Sequence, residues 1–249
     1  GLVRCVGEPE LRFREDALRM LRAARFSAQL GFAIESATAE ALRKNAGLAG
    51  RLSAERVRTE LEKTLLSQWP ERGEGLFAWG LLAAFVGENA LPDLTTLHRV
   101  PAGPLERWAA LCALLLDEGS IRSAEEFLKA LRLDGRTVRA CAAGAELVKT
   151  MPRGTVGWRH ALAEHGEDAC TAAAAIGAAM VGGTYLQELA ETLAEGSCLT
   201  VRELALSGAE LAAMGYHGAD IGAAQRRLLD HVLDHPEDNR PERVRELLK

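Results

Sequence analysis

The chain has 249 residues, 26% charged and 48% hydrophobic, enough to bury one large core or two to three smaller ones. No apolar run approaches the length of a membrane span; the longest candidate, Ala169–Val181, is mostly alanine and carries a glycine. The net charge of −5 is uneven: residues 1–72 hold 13 Lys+Arg against 10 Asp+Glu, whereas the rest hold 17 against 25, so only local basic faces would suit a polyanion.

Aromatic residues are only 5% and β-branched ones are sparse, while Ala, Leu, Arg and Glu dominate, a composition that favours an all-α fold. The five cysteines (Cys5, Cys112, Cys141, Cys170, Cys198) are scattered, odd in number and without a CxxC pair. That argues against a disulfide framework or a zinc ribbon and for a reducing, cytoplasmic setting. The chain opens on Gly1 without a signal-peptide pattern.

In chain order, Leu2–Val6 is a short strand ended by Gly7 and Pro9, expected to lack a partner here and to belong to a sheet outside this sequence. One helix is predicted from Arg14 to Leu30, with Glu15 and Asp16 in its first turn and Gly31 as its stop. A second follows over Ser36–Asn45, and a third runs from the N-cap Ser53 to Leu66. Pro70 breaks the chain, two short helices separated near Gly80 follow, and 92–104 reads as a loop. Helices are then predicted at 105–117, 123–132, 135–150, 155–165, 167–180, 184–195, 200–206, 208–214, 219–234 and after Pro241, with a break near Met151.

The stretch with the most chemical content is Glu15-Asp16-Ala17-Leu18-Arg19-Met20-Leu21-Arg22. On one helix, Asp16 and Arg19 stand three apart, so a carboxylate and a guanidinium share a face that Arg22 continues. Such a pair offers acceptors and donors to the edge of a nucleobase, and it equally well makes an ordinary surface ion pair. Other constellations are weaker. His160 and His165 are five apart, and His231 and His235 are four apart without a third ligand, which an exposed amphipathic helix explains. Gly215 and Gly218 bracket a turn into a helix whose Arg226 and Arg227 suit a phosphate backbone as well as plain solvent.

Arg12-Phe13-Arg14-Glu15-Asp16-Ala17-Leu18-Arg19-Met20-Leu21-Arg22-Ala23-Ala24-Arg25-Phe26, with Val6-Gly7-Glu8-Pro9 before it and Gln29-Leu30-Gly31-Phe32 after it, resembles the neck of class II tRNA nucleotidyltransferases. These are the CCA-adding enzymes and their poly(A) polymerase relatives. Ser53-Ala54-Glu55-Arg56-Val57-Arg58-Thr59-Glu60-Leu61 is similar to the next block of that family. Leu204 to Gly208, then Leu211, Gly215, Gly218, Ile221, Gly222 and Asn239, resemble the tail of its bacterial CCA-adding branch.

The resemblance implies that Asp16 and Arg19 pair with the base of CTP or ATP, that Arg22 helps, and that Glu15, Glu55 and Arg56 support the template. Arg226 and Arg227 become tRNA contacts. It also implies a division into 1–12 (end of a catalytic head), 13–70 (neck), 71–150 (RNA-binding body) and 151–249 (tRNA-binding tail).

The family's two-metal chemistry needs paired head carboxylates and a Gly-Gly turn on a strand. No Asp-x-Asp occurs, and Gly182-Gly183 lies in a helical region. Mg2+ is therefore expected only in a missing head, with no catalytic residue in this chain. The expected partners are tRNA, CTP, ATP and that head, and neither membrane nor DNA. The alternatives are a non-catalytic RNA-binding helical module and a poly(A) polymerase-like enzyme.

Overall fold

The computed structural model describes residues 1–87 and 90–248. It is all-α, with fifteen α-helices and one two-stranded sheet among the described residues. Strand β1 (Leu2–Val3) runs parallel to β2 (Ala33–Ile34), with Leu2 opposite Ala33 and Val3 opposite Ile34. The expected orphan strand therefore has a partner within this chain, a two-residue segment too short to carry a strand pattern of its own.

The predicted long helix is two. α1 (Pro9–Glu15) stops at Asp16, whose backbone is extended, and α2 (Leu18–Leu30) begins two residues on. No Gly or Pro causes this break. Asp16 makes it, because its Oδ1 accepts the Leu18 N–H at 3.1 Å, satisfying a donor that a helix start leaves unpaired. α2 ends on Gly31 in the left-handed conformation, φ 68°, as a helix stop requires. α3 (Ser36–Asn45) and α4 (Ala54–Leu65) follow, and Ser53 is the N-cap of α4 by position, though its side chain caps no N–H.

Next come a 3₁₀ turn at Pro70–Gly73, α5 (Glu74–Ala78) and α6 (Ala83–Val86). The predicted 92–104 loop contains a 3₁₀ turn, Leu94–Arg99, started by Asp93 accepting from Thr95. The middle of the chain is α7 (Pro104–Asp117), α8 (Ala124–Ala130), α9 (Gly135–Leu147), α10 (Gly154–His165), α11 (Glu167–Met180) and α12 (Tyr185–Ala194). α9 and α11 pack closely because Gly144 has no side chain: a Cβ there would lie 3.1 Å from both the Ala169 carbonyl and the Ala172 methyl.

Residues 200–206 form turns rather than the predicted helix. Asn239 accounts for this by accepting the Ala205 N–H at 2.8 Å and donating to the Glu203 carbonyl at 3.0 Å, which takes those groups out of any helical ladder. α13 (Gly208–Ala213) opens with a reciprocal capping box between Ser207 and Glu210. α14 (Ala219–Asp234) and α15 (Pro241–Glu246) end the chain.

Three apolar clusters hold these helices. The first runs without interruption from Phe13 to Ile176 and includes Met20, Leu21, Leu61 and Trp108. The second gathers Trp158, Leu162, Tyr185 and Leu189. The third, in the last fifty residues, is Leu204, Leu206, Leu228, Val232 and Val244. The third meets the rest where α14 crosses α10, through His160, whose Nε2 lies 2.9 Å from Asp234 and whose Nδ1 lies 3.9 Å from Asp230. No described helix is long and apolar enough to cross a membrane.

Candidate functional site

The junction of α1 and α2 is a charged knot built by sequence-local and long-range contacts. Glu15 Oε2 accepts from both Arg12 Nη1 and Arg19 Nη1 at 2.6 Å, and Arg19 Nη1 also donates to the Arg12 carbonyl at 3.0 Å. The hydrogen bond from Arg19, with the charges of both arginines, holds the Glu15 carboxyl below its usual pKa. Asp16 does not pair with Arg19. It turns toward α4, where Arg56 Nη2 donates to its Oδ1 at 3.1 Å.

Asp16 and Arg19 are thus each held from behind. Asp16 uses Oδ1 for both the Leu18 N–H and Arg56, while its Oδ2 has no hydrogen-bond partner among the described residues. Arg19 uses Nη1 for its contacts, leaving Nε and Nη2 unengaged among the described residues. An acceptor and a donor edge remain on adjacent, restrained side chains, a preorganised arrangement for a planar polar ligand.

Arg22 lies one turn further along α2, with its Nε 3.6 Å from Glu60 Oε1. Glu60 is 5% exposed and also binds Arg25 Nε at 2.6 Å. Arg25 in turn donates to Gln29 Oε1 at 2.8 Å and stacks over the Phe26 ring at 4.2 Å. Arg56 and Glu60 stand one turn apart on α4, so this helix fixes Asp16 with one residue and the Arg22–Arg25 pair with the next. Sequence reasoning quoted Glu60 without giving it a role; its four-residue spacing from Arg56 is the signal that marks it. Glu55 is exposed near the start of α4, and its carboxyl is held below the usual range chiefly by a hydrogen bond from its own backbone N–H.

Beside the knot lies a cavity of ≈ 260 Å³ lined by Val3, Arg4, Cys5, Phe13, Arg19, Arg22, Ala23, Phe26 and Thr38. Arg19 and Arg22 reach it and Asp16 does not. Burial raises the pKa of the Cys5 thiol despite the nearby Arg12 and Arg19, so that wall stays neutral at ordinary pH.

The remaining candidates lie elsewhere. Arg226 and Arg227 are exposed on α14, far along the chain from the knot, and neither has a carboxylate partner among the described residues. His231 is engaged by Asp238 at 2.7 Å, its ring 4.9 Å from that of His235. Among the described residues, no three His, Cys, Asp or Glu side chains converge as a metal site requires.

Comparison with known proteins finds relatives along nearly the whole chain. Residues 31–92 match the family model described as "Probable RNA and SrmB- binding site of polymerase A". A CCA-adding enzyme from a Geobacillus species is 31% identical over 98% of this chain and 62% of its own length. The CCA-adding enzyme of Lacticaseibacillus paracasei is 34% identical over 93% of this chain and 58% of its own. The solved structure of the Bacillus stearothermophilus CCA-adding enzyme in complex with CTP superposes with a TM-score of 0.79 at 29% identity, covering 94% of this chain and 61% of that one. The chain thus spans about three fifths of the length of the curated relatives it matches. From the α1–α2 knot through the tail, the chain is similar to the C-terminal three fifths of CCA-adding enzymes, and residues 31–92 match a polymerase A RNA-binding family model.

Proposed function

We propose that this chain supplies base selection and tRNA binding to a CCA-adding nucleotidyltransferase, the enzyme that adds CTP- and ATP-derived nucleotides to the 3′ end of tRNA. The observation that carries the reading is the restrained pair Asp16 and Arg19, each gripped on one edge and open on the other. Cytosine and adenine both present an amino group beside an unprotonated ring nitrogen. A carboxylate accepts from the first and a guanidinium donates to the second. Uracil and guanine present a carbonyl beside an N–H, which sets acceptor against acceptor and donor against donor.

In this reading Arg22 assists at the cavity mouth, and Arg56, Glu15 and Glu55 keep the template in place. The exposed Arg226 and Arg227 contact the tRNA backbone, which a helical surface reads by shape. Residues 13–70 act as neck, 71–150 as body and 151–249 as tail, with 1–12 leading from a catalytic head outside the present sequence.

In this reading the metal-holding carboxylates and the transfer chemistry they serve belong to the head. The 249-residue chain alone is expected to release no pyrophosphate from CTP or ATP with a tRNA lacking its 3′ end. Sustained turnover by it would defeat that assignment. In a protein that joins this chain to a head, Asp16→Asn or Arg19→Ala is expected to lower the preference for CTP and ATP over UTP and GTP by about tenfold or more, the effect of breaking the two-point contact to the base edge. tRNA affinity is expected to change by less than about threefold. Unaltered selectivity would remove the template role.

The family model over residues 31–92 favours RNA binding independently of catalysis. A non-catalytic RNA-binding module is the second reading, and it predicts tRNA binding with no nucleotide binding at all.

A further inference from the structure

The cavity beside the knot has a feature that base-edge pairing does not use. Its wall includes Phe26, an aromatic residue left 42% exposed at the surface of α2. The neighbouring guanidinium of Arg25 lies over this ring at 4.2 Å, and that guanidinium is itself fixed by Glu60 at 2.6 Å and Gln29 at 2.8 Å. One face of the ring is thus covered by a clamped cation, and the ring also borders an open cavity flanked by Arg19 and Arg22.

A guanidinium already fixed by a buried carboxylate holds the ring's orientation before a ligand arrives, which lowers the ordering cost of binding. The cavity's ≈ 260 Å³ lies just under the ~300 Å³ at which pockets for drug-sized molecules begin, a scale that suits one base rather than a whole nucleotide. Its walls match such a ring: Val3, Phe13, Ala23 and the neutral Cys5 are apolar, with Arg4, Arg19 and Arg22 as donors, while the Thr38 hydroxyl is already given to Glu35.

We propose that Phe26 is a stacking platform for a nucleobase, oriented by the Glu60–Arg25 clamp on its opposite face. The base enters the cavity between β1 and α2 and lies on the ring, while Arg19 and Arg22 stand at its edge. Stacking is indifferent to base identity because every base has a π-face, so Phe26 supplies affinity and leaves discrimination to the groups that meet the base edge. The proposal rests on the base-template reading above. The base belongs either to the free nucleotide or to the terminal residue of an RNA strand, and both present the same π-face.

The test uses the intact 249-residue chain. One arm titrates CTP and the other a short single-stranded RNA ending in two cytidines, each followed by the NMR shifts of the cytosine H5 and H6 protons. Stacking on Phe26 moves these protons upfield. Phe26→Leu is expected to abolish the shift and weaken binding by roughly 5- to 100-fold, the range for loss of one aromatic platform. Phe26→Tyr keeps a ring and is expected to retain both. Because Phe26 is partly exposed, Phe26→Leu is expected to keep the parent helicity, read by circular dichroism. An upfield shift in either arm that Phe26→Leu removes upholds the platform and identifies the source of the base. No shift in either arm, or a shift that Phe26→Leu leaves intact, overturns it. Failure of the template reading shows separately, as unchanged base selectivity on Asp16→Asn while the Phe26-dependent shift persists.

Discussion

Arg107→Ala is expected to lower the unfolding free energy by about 3–5 kcal/mol, the cost of leaving several buried carbonyls without their charged donor. Arg107 is 4% exposed on α7, and its partners are carbonyls rather than a close carboxylate. Its Nε donates to Val100 O at 2.9 Å and Pro101 O at 3.2 Å, and its Nη1 donates to Leu65 O at 2.7 Å. These carbonyls end α4 and the 3₁₀ segment before α7, so one guanidinium ties three chain segments together. Burial lowers the pKa of this guanidinium while the charge of Glu71 opposes the shift. Truncation strands the carbonyls and the Glu71 carboxylate, which already has a buried oxygen without a partner. Urea denaturation of the two proteins measures the difference. Arg107→Lys should recover only part of the loss, because an ammonium cannot span the fork. A loss below about 0.5 kcal/mol for Arg107→Ala, the range of ordinary surface substitutions, would show that the carbonyls find other donors.

Glu60→Ala is the second large effect, expected at about 2–4 kcal/mol, since it leaves the mostly buried Arg25 without its counter-charge and Arg22 without its anchor. The estimate sits below that for Arg107 because Arg22 is about half exposed and can take water instead. Glu60→Gln keeps an acceptor of the same shape and should recover about half of the loss. Thermal melts of the three proteins decide this. If Glu60→Ala melts with the parent protein, the pair of contacts from α4 to α2 contributes nothing.

Much of the helical order is legible in the sequence because Ala, Leu and Glu recur at helical spacing and Pro or Gly marks most of the ends. The departures share a cause: a side chain far off, or one too short to leave a pattern, decides the backbone. Asp16 breaks a helix that propensity would continue, using an acceptor aimed two residues ahead. Asn239 dissolves the 200–206 helix from more than thirty residues away. The partner of β1 is invisible because Ala33–Ile34 is two residues long.

A motif picks out Asp16 and Arg19, and the motif carries no information on how they are held. Spacing alone pairs Asp16 with Arg19, whereas α4 takes Asp16 away through Arg56 and Glu15 takes Arg19. Those cross-helix choices depend on which faces of α2 and α4 meet, and that is fixed only by packing of Leu21, Ala24, Val57 and Leu61 in the first core.

The last fifty residues have an apolar cluster of their own and lean on α10 through an imidazole set between two carboxylates. The chain crosses between the two sides at Cys198, Leu199 and Val201, with Leu199 packed on the second apolar cluster and its neighbours on the third. The tail thus has a core of its own and reaches the rest through one helix crossing and one short apolar bridge, which confines its cooperation with the body to few contacts.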